Sequence, residues 1–367
     1  MGNDGIPPMM GGCGENSYFR NSTHQRQMYE GIKEFVRNAV QANFDISPRD
    51  SKVIRIADLG CSVGPNTFYA VQSIIDAMCS TPSISQLAPA VPEFQVFFND
   101  QIGNDFNMLF NSLRLLECRY FVAGVPGSFY ERIFPTASIH FFNSAVALHW
   151  LSKAPVGASN KGRIHYYGGG PSVQAAYMNQ FQADMRAFLE SRAKELVEGG
   201  LLSLLFVCRQ ENMEPNQSTD HFFTQTLEPI LKELILEGKM KEEELDSFQM
   251  PMYVPTIEEF QEVVEMNGDF TIRVAKEIVD QGMILESGEN INVDFEVYLQ
   301  QLSRSASSAS KSVLGELLRS YFGEEILEEI FERFPQQVFQ YYRALGCKPS
   351  IPYGFFILQL KPRSMIT

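Results

Sequence analysis

Apolar and polar positions alternate with changing period along the chain, and each change predicts an element. Between Gln27 and Phe44, the residues Met28, Tyr29, Ile32, Phe35, Val36, Ala39 and Val40 recur at helical spacing, which predicts an amphipathic helix with Ser22 or Thr23 as its N-cap. Near-continuous apolar runs follow at Val53 to Leu59, Phe94 to Phe98, Tyr120 to Val125 and Leu201 to Val207. Helix-length segments such as Phe68 to Met78 and Ala175 to Val197 separate them. Strands apolar on both sides that alternate with helices predict an α/β core, a mostly parallel sheet covered on both faces. The last run, Phe355 to Leu360, reads as an edge strand.

From about Asn216 to Phe334 the texture turns acidic and helix-favouring, as in "LKELILEGKMKEEELDSF" and "SVLGELLRSYFGEEILEEIFERF", with no strand alternation evident. This predicts a helical subdomain, 216–334, inserted into a core made of 1–215 and 335–367. Its acidic runs read as solvated helix faces. The low-complexity stretch Ser303 to Ser312 is expected to be a flexible loop, and the glycine-rich leader before Tyr18 to be mobile.

Composition narrows the function. A formal charge of −14 excludes a phosphate-backbone partner and an anionic membrane surface, since both need clustered Lys and Arg. The six cysteines, Cys13, Cys61, Cys79, Cys118, Cys208 and Cys347, contain no CxxC pair, so free thiols are expected. No secretory leader and no long apolar span is evident, which predicts a cytoplasmic protein. The opening "MGND" lacks the Ser or Thr of a myristoylation site, with Ile6 in that place.

The first strand ends in "ADLGCSVGPNTF", and in a doubly wound sheet this turn faces the ligand crevice. A dinucleotide site would carry G-x-G-x-x-G and offer N–H groups to a pyrophosphate. Here Gly60 and Gly64 are spaced G-x-x-x-G and Pro65 removes a donor, while Asp58 would repel phosphate. A ligand with an ammonium or sulfonium fits better, and S-adenosylmethionine carries both. The second strand ends in Asp100, where a ribose would offer its paired hydroxyls. The third is followed by Ser128 and Phe129, suited to bond and stack on an adenine.

The blocks "GENSYFRNSTHQRQ", "IADLGCSVGPNTF", "FFNDQIGNDFNMLF", "GVPGSFYERIFP", "ALHWLSKAP" and "NKGRI" succeed one another as in the SABATH family of plant methyltransferases, which the whole chain resembles. That family methylates carboxyl groups or ring nitrogens of small metabolites. The resemblance implies a Rossmann-like methyltransferase core with a seven-stranded, mostly parallel sheet, an α-helical cap and a homodimer. It implies cofactor contacts from Tyr18, Ser22, Asp58, Gly60, Asn66, Asp100, Gln101, Ser128, Phe129, Ser144 and Ala145. It places the substrate carboxylate on Gln25 and Trp150, beside His149. Further substrate walls would come from Tyr18, Val146, His221, Phe223, Thr224, Ser310 and Tyr353. Some relatives hold a divalent ion with "DSFN" and an upstream Asn; the counterparts are Asn160, Asp246, Phe248 and Gln249, an oxygen set suited to Mg2+, with a capping role for Asp246 as the alternative.

A carboxylate is ionised near pH 7 and needs no general base, so its methylation requires positioning and exclusion of water. Gln25 and Trp150 are neutral donors that orient such an anion without neutralising it. Gln101 stands where the family commonly has Leu, and Ala145 and Val146 where it often has Ser and Tyr. Thr224 stands where salicylate-type enzymes have Trp, which implies room for a bulky, non-planar acid. The expected activity is a methyl ester of a small-molecule carboxylic acid. Ring N-methylation of a xanthine or alkaloid, a nicotinamide oxidoreductase and a non-catalytic binder are the alternatives.

Overall fold

In the computed structural model the described residues are 6–45, 52–86, 92–113, 119–155, 160–210, 219–280, 295–345 and 351–362. Cys118 and Cys347 lie outside them; Cys13, Cys61, Cys79 and Cys208 are free thiols. Seven strands form one sheet: β1 (Val53–Leu59), β2 (Glu93–Asp100), β3 (Phe121–Pro126), β4 (Ile139–Ala145), β5 (Leu196–Val207), β6 (Phe270–Asp280) and β7 (Ile351–Leu360). Their spatial order is β3-β2-β1-β4-β5-β7-β6. The first five pair in parallel, and β7 runs antiparallel between β5 and β6.

Helices cover both faces, as near-continuous apolar strands require. On one face α2 (Thr23–Asn43), α3 (Asn66–Cys79), α4 (Pro82–Ser85) and α5 (Phe106–Leu113) follow the four-residue α1 (Tyr18–Asn21) and bury Ile32, Val36, Val71 and Leu109 against Ile56, Val96 and Ile357. On the other, α6 (Pro171–Glu195) and α9 (Ile257–Asn267) bury Phe181, Met185, Phe188 and Phe260 against Phe142, Leu202 and Phe356. A third apolar cluster lies within α7 (Thr219–Leu236), α8 (Glu242–Ser247), α10 (Phe295–Phe322) and α11 (Glu324–Leu345).

Several expectations are corrected. Within the mainly helical segment 216–334, β6 completes the sheet, and α9 before it packs on the core, capped by Thr256 and by left-handed Gly268. The edge strand is therefore β6, and Phe355 to Leu360 lies inside the sheet. The cap runs past Phe334, because α11 continues through Pro335 and buries Val338, Tyr341 and Tyr342 in the third cluster. Ser303 to Ser312 is helical within α10, where Ser303 and Ser307 are buried and Ser303 Oγ donates to Leu299 O at 2.7 Å. The strand β4 has no counterpart among the predicted runs.

The leader is also held. Met10 N donates to Ser312 O and Tyr18 N to Met10 O, each at 2.9 Å. Gly12 N donates to Asp105 Oδ2 at 3.1 Å, while Asp105 Oδ1 accepts from Met108 N at the start of α5. Residues 6–17 thus form a strap from the core to cap helix α10.

Candidate active site

The strap, α10 and the carboxyl ends of the parallel strands enclose one cleft. Tyr18, Gly60, Ser62, Asp100, Gln101, Phe129, Ala145, Val146, Ala147 and Trp150 line it from the core. Ile6 to Met9 line it from the strap, and Val313 and Leu317 from the cap. Its position outside the carboxyl ends of parallel strands is where open α/β sheets bind ligands.

Two backbone features shape the turn after β1. Gly60 has φ of +83°, and a Cβ there would lie 2.6 Å from Ala147 Cβ, so only glycine fits. Ser62 has φ of +51°, uncommon for a residue with a side chain; its N–H donates to Asp100 Oδ2 at 2.7 Å, and its carbonyl accepts from Asn104 Nδ2 at 3.1 Å. Gln101 N donates to Asp100 Oδ1 at 2.8 Å. An ionised carboxyl group has about four acceptor sites, so each Asp100 oxygen keeps capacity for a ribose hydroxyl. Ser62 Oγ is buried without a partner at the same wall. Val146, with φ of +58°, is a second strained residue on the lining.

Asp58 lies behind the turn. Thr67 Oγ1 donates to one of its oxygens and Asn143 Nδ2 to the other, at 2.6 Å for Asn143. Burial pushes the Asp58 carboxyl up to about 6 against those two bonds, and the Asp100 charge adds to the rise. Burial likewise raises Asp100 to about 6, opposed by the N–H groups of Ser62 and Gln101. Asp58, buried behind the turn, and Asp100, half-buried on the cleft wall, make this end of the cleft electronegative. Burial first, then Asp100 and Asp58, raise the Tyr18 phenol far above its ordinary value, so it stays neutral.

The other predicted cofactor residues divide. Ser22 is buried and its carbonyl accepts from Asn66 Nδ2 at 2.9 Å, joining the start of α2 to that of α3. Ser128 Oγ accepts from Tyr130 N at 3.2 Å, and Ser144 Oγ donates to Leu59 O at 3.0 Å, which ties β4 to β1. Gln25 Oε1 and His149 Nδ1 are buried with no partner. The His149 and Trp150 rings lie 5.8 Å apart, and burial lowers His149 to about 4, so it is neutral at pH 7. The Trp150 backbone is fixed by Ala147, Tyr130 and a bridge to Met252.

His221, Phe223, Thr224, Ser310 and Tyr353 are not among the residues lining this cleft. His221 packs on Tyr167, Phe223 on Phe222, and Thr224 Oγ1 donates to His221 O at 2.9 Å within α7. Ser310 is buried in α10, and Tyr353 lies in the sheet opposite Val207 and Ile278.

Asn160, Asp246 and Gln249 do come together, but as hydrogen-bonding partners. Gln249 Oε1 accepts from Asn160 Nδ2 at 3.2 Å and Tyr177 OH at 3.3 Å, and Asp246 Oδ1 accepts from Gly162 N at 2.7 Å. Phe248 is buried against Tyr321 and Phe322. Asp246 Oδ1 and Gln249 Oε1 are thus engaged by protein donors, and the set holds a single carboxylate. No cluster of three His, Cys, Asp or Glu able to hold a metal occurs among the described residues.

Sequence reasoning missed Ser62, Thr67 and Asn143. The strand register offered a signal for the last, since Asn143 stands opposite Asp58 on the neighbouring parallel strand.

The cleft at these strand ends, with Gly60, Ser62 and Asp100 on its wall, stands where an open α/β sheet takes its ligand. The chain matches the family described as SAM dependent carboxyl methyltransferase over residues 6–359 and belongs to it, the SABATH family. It is 38% identical over 350 residues to loganic acid O-methyltransferase of Catharanthus roseus, covering 90% of this chain and 88% of that one. It is 35% identical over 351 residues to indole-3-acetate O-methyltransferase 1 of Arabidopsis thaliana, covering 89% and 88%. A solved structure of loganic acid methyltransferase with SAH superposes with a TM-score of 0.85 at 34% identity, covering 98% of this chain and all of that one. The protein is an S-adenosylmethionine-dependent carboxyl methyltransferase.

Proposed function

We propose that the protein forms the methyl ester of a small-molecule carboxylic acid by in-line transfer without a general base. What supports this reading, among the described residues beside Trp150, is that burial lowers His149 to about 4 and keeps the Tyr18 phenol protonated, so neither serves as a base at pH 7, while Asp100 is bonded into the turn after β1 by Ser62 and Gln101. A nucleophile must then arrive already ionised, as a carboxylate does and a purine N–H does not. The bound cofactor supplies an electrophilic methyl group on a sulfonium. Gln25 and Trp150 would orient the acid as neutral donors, and the strap and cap would exclude water. The Trp150 indole is half-buried against the cap cluster, where a fixed N–H costs little to hold.

The acid's body would lie against Ile6, Pro7, Met9, Val146, Val313 and Leu317, an apolar wall. That wall favours a bulky apolar acid over a flat polar heterocycle. Trp150→Phe keeps most of the packing area and deletes the donor, so kcat/KM for the acid should fall by ~1.5–3 kcal/mol, about 10- to 150-fold, with SAH affinity unchanged. Radiolabelled methyl transfer to a panel of acids and xanthines tests both points. Methylation of xanthines but no acid, or an unimpaired Trp150→Phe enzyme, overturns the reading.

A further inference from the structure

After β3 the chain runs from Gly127 to Ser138 without a strand or helix, yet this segment carries Phe129 to the cleft. A loop with no ladder of its own must find partners elsewhere for its buried backbone groups. Here it finds them from two sides. Asn99, the penultimate residue of β2 and fully buried, donates its amide N–H groups to Val125 O at 2.8 Å and Gly127 O at 2.9 Å. Gly127 N returns a bond to Asp100 O at 2.9 Å.

From α6, Arg192 donates Nη1 to Phe129 O at 2.6 Å and Nη2 to Glu131 O at 2.9 Å. Its Nε donates to Glu195 Oε2 at 2.7 Å, and Glu195 Oε1 accepts from Ile133 N and Phe134 N at 2.6 and 2.8 Å. Both side chains are 0% exposed. A buried ion pair is not in general a source of stability, because desolvation offsets its attraction. What a guanidinium fork supplies is geometry: planar donors that fix two carbonyls and a carboxylate at once.

We propose that residues 127–134 are a pre-shaped platform for the adenosine half of the cofactor, held by Asn99 from the sheet and by the Arg192–Glu195 pair from α6. Asn99 and Arg192 are then positioning residues for cofactor binding, remote from the methyl group and the acid. The inference rests on the cofactor site described above, and wild-type SAH binding tests that site separately.

The experiment is calorimetric titration of SAH into wild type, Asn99→Asp and Arg192→Lys. Asn99→Asp keeps the size but turns an oxygen toward two carbonyls. Arg192→Lys keeps the charge opposite Glu195 but cannot fork to both loop carbonyls. Each should raise the SAH Kd at least tenfold at unchanged stoichiometry, and methylthioadenosine, which lacks the amino-acid half, should weaken by the same factor. A purely structural role would instead lower the fraction of binding-competent protein and leave Kd alone. Wild-type Kd in both variants, or a loss confined to stoichiometry, overturns the proposal. If either variant fails to fold, Asn99→Ala, which deletes the donor without adding charge, decides by the same criteria.

Discussion

Asp58 and Asp100 make cofactor affinity depend on pH in a window where carboxylates are ordinarily silent. In the free protein both are raised from 3.8 to about 6, chiefly by burial. A folded-state rise in a carboxyl group favours the folded protein as pH falls from 6 to 4, by up to ~3 kcal/mol per group at 1.36 kcal/mol per pH unit. Cofactor binding acts oppositely, because a ribose hydroxyl and a cationic ligand both call for the ionised form. With a carboxyl at about 6, roughly one eleventh is ionised at pH 5 and ten elevenths at pH 7. Each group then weakens binding about tenfold between those values, or ~1.4 kcal/mol, and the pair up to about a hundredfold. Binding at pH 6 should release about half a proton per carboxyl group, seen as a dependence of calorimetric heat on buffer ionisation enthalpy. His140, His149 and His165 lie at about 4 and do not titrate in this window. Asp100→Asn should bind more weakly at pH 7 and lose roughly half of the logarithmic pH dependence. An SAH Kd that is equal at pH 5 and pH 7, with no buffer dependence of the heat, would refute the argument.

Three further outcomes follow from close contacts in the structure. Gly60→Ala should lower thermal stability by ~2–4 kcal/mol and weaken SAH, since its Cβ meets Ala147 at 2.6 Å in a left-handed conformation; thermal unfolding with and without SAH checks this. Asn143→Leu removes a donor to the buried Asp58, so the midpoint of the pH dependence of SAH binding should move upward, as calorimetry across pH 5 to 8 would show. Gly315→Ala places a Cβ 2.6 Å from Met10 Sδ, which should loosen the strap and raise proteolytic cleavage between residues 6 and 17 while leaving the sheet intact; limited proteolysis followed by mass spectrometry reads it.

The carboxylates at the strand ends were legible because each breaks an apolar run, as Asp58 does beside the Gly60 turn. Asp58 and Asp100 announce themselves in that way. Asn99 and Arg192 do not, since a lone Asn in a strand and an Arg in a helix read as polar surface until packing buries them. The low-complexity Ser303 to Ser312 hides a helix because its order comes from Leu299, Leu302, Leu314 and Leu318 packing in the cap. In β6, Phe270, Ile272 and Val274 do alternate, but Arg273, Lys276 and Glu277 give the run the charged texture of the helices on either side. The strap's glycines suggested mobility, yet its anchors, Asp105 and Ser312, lie about 90 and 300 residues away in the chain.

The place of β7 has a consequence for biosynthesis. The gap between β5 and β6 is filled by residues 351–360, whereas β5 ends at Val207, about 140 residues earlier. At ~5–20 residues per second the ribosome leaves that slot open for roughly seven to thirty seconds. During this interval the cap helices emerge and can fold, while β5 presents an unpaired apolar edge built from Leu201, Leu202, Leu204 and Leu205. Until β7 is made, the nascent chain therefore carries an open apolar strand edge of the kind that pairs with other chains.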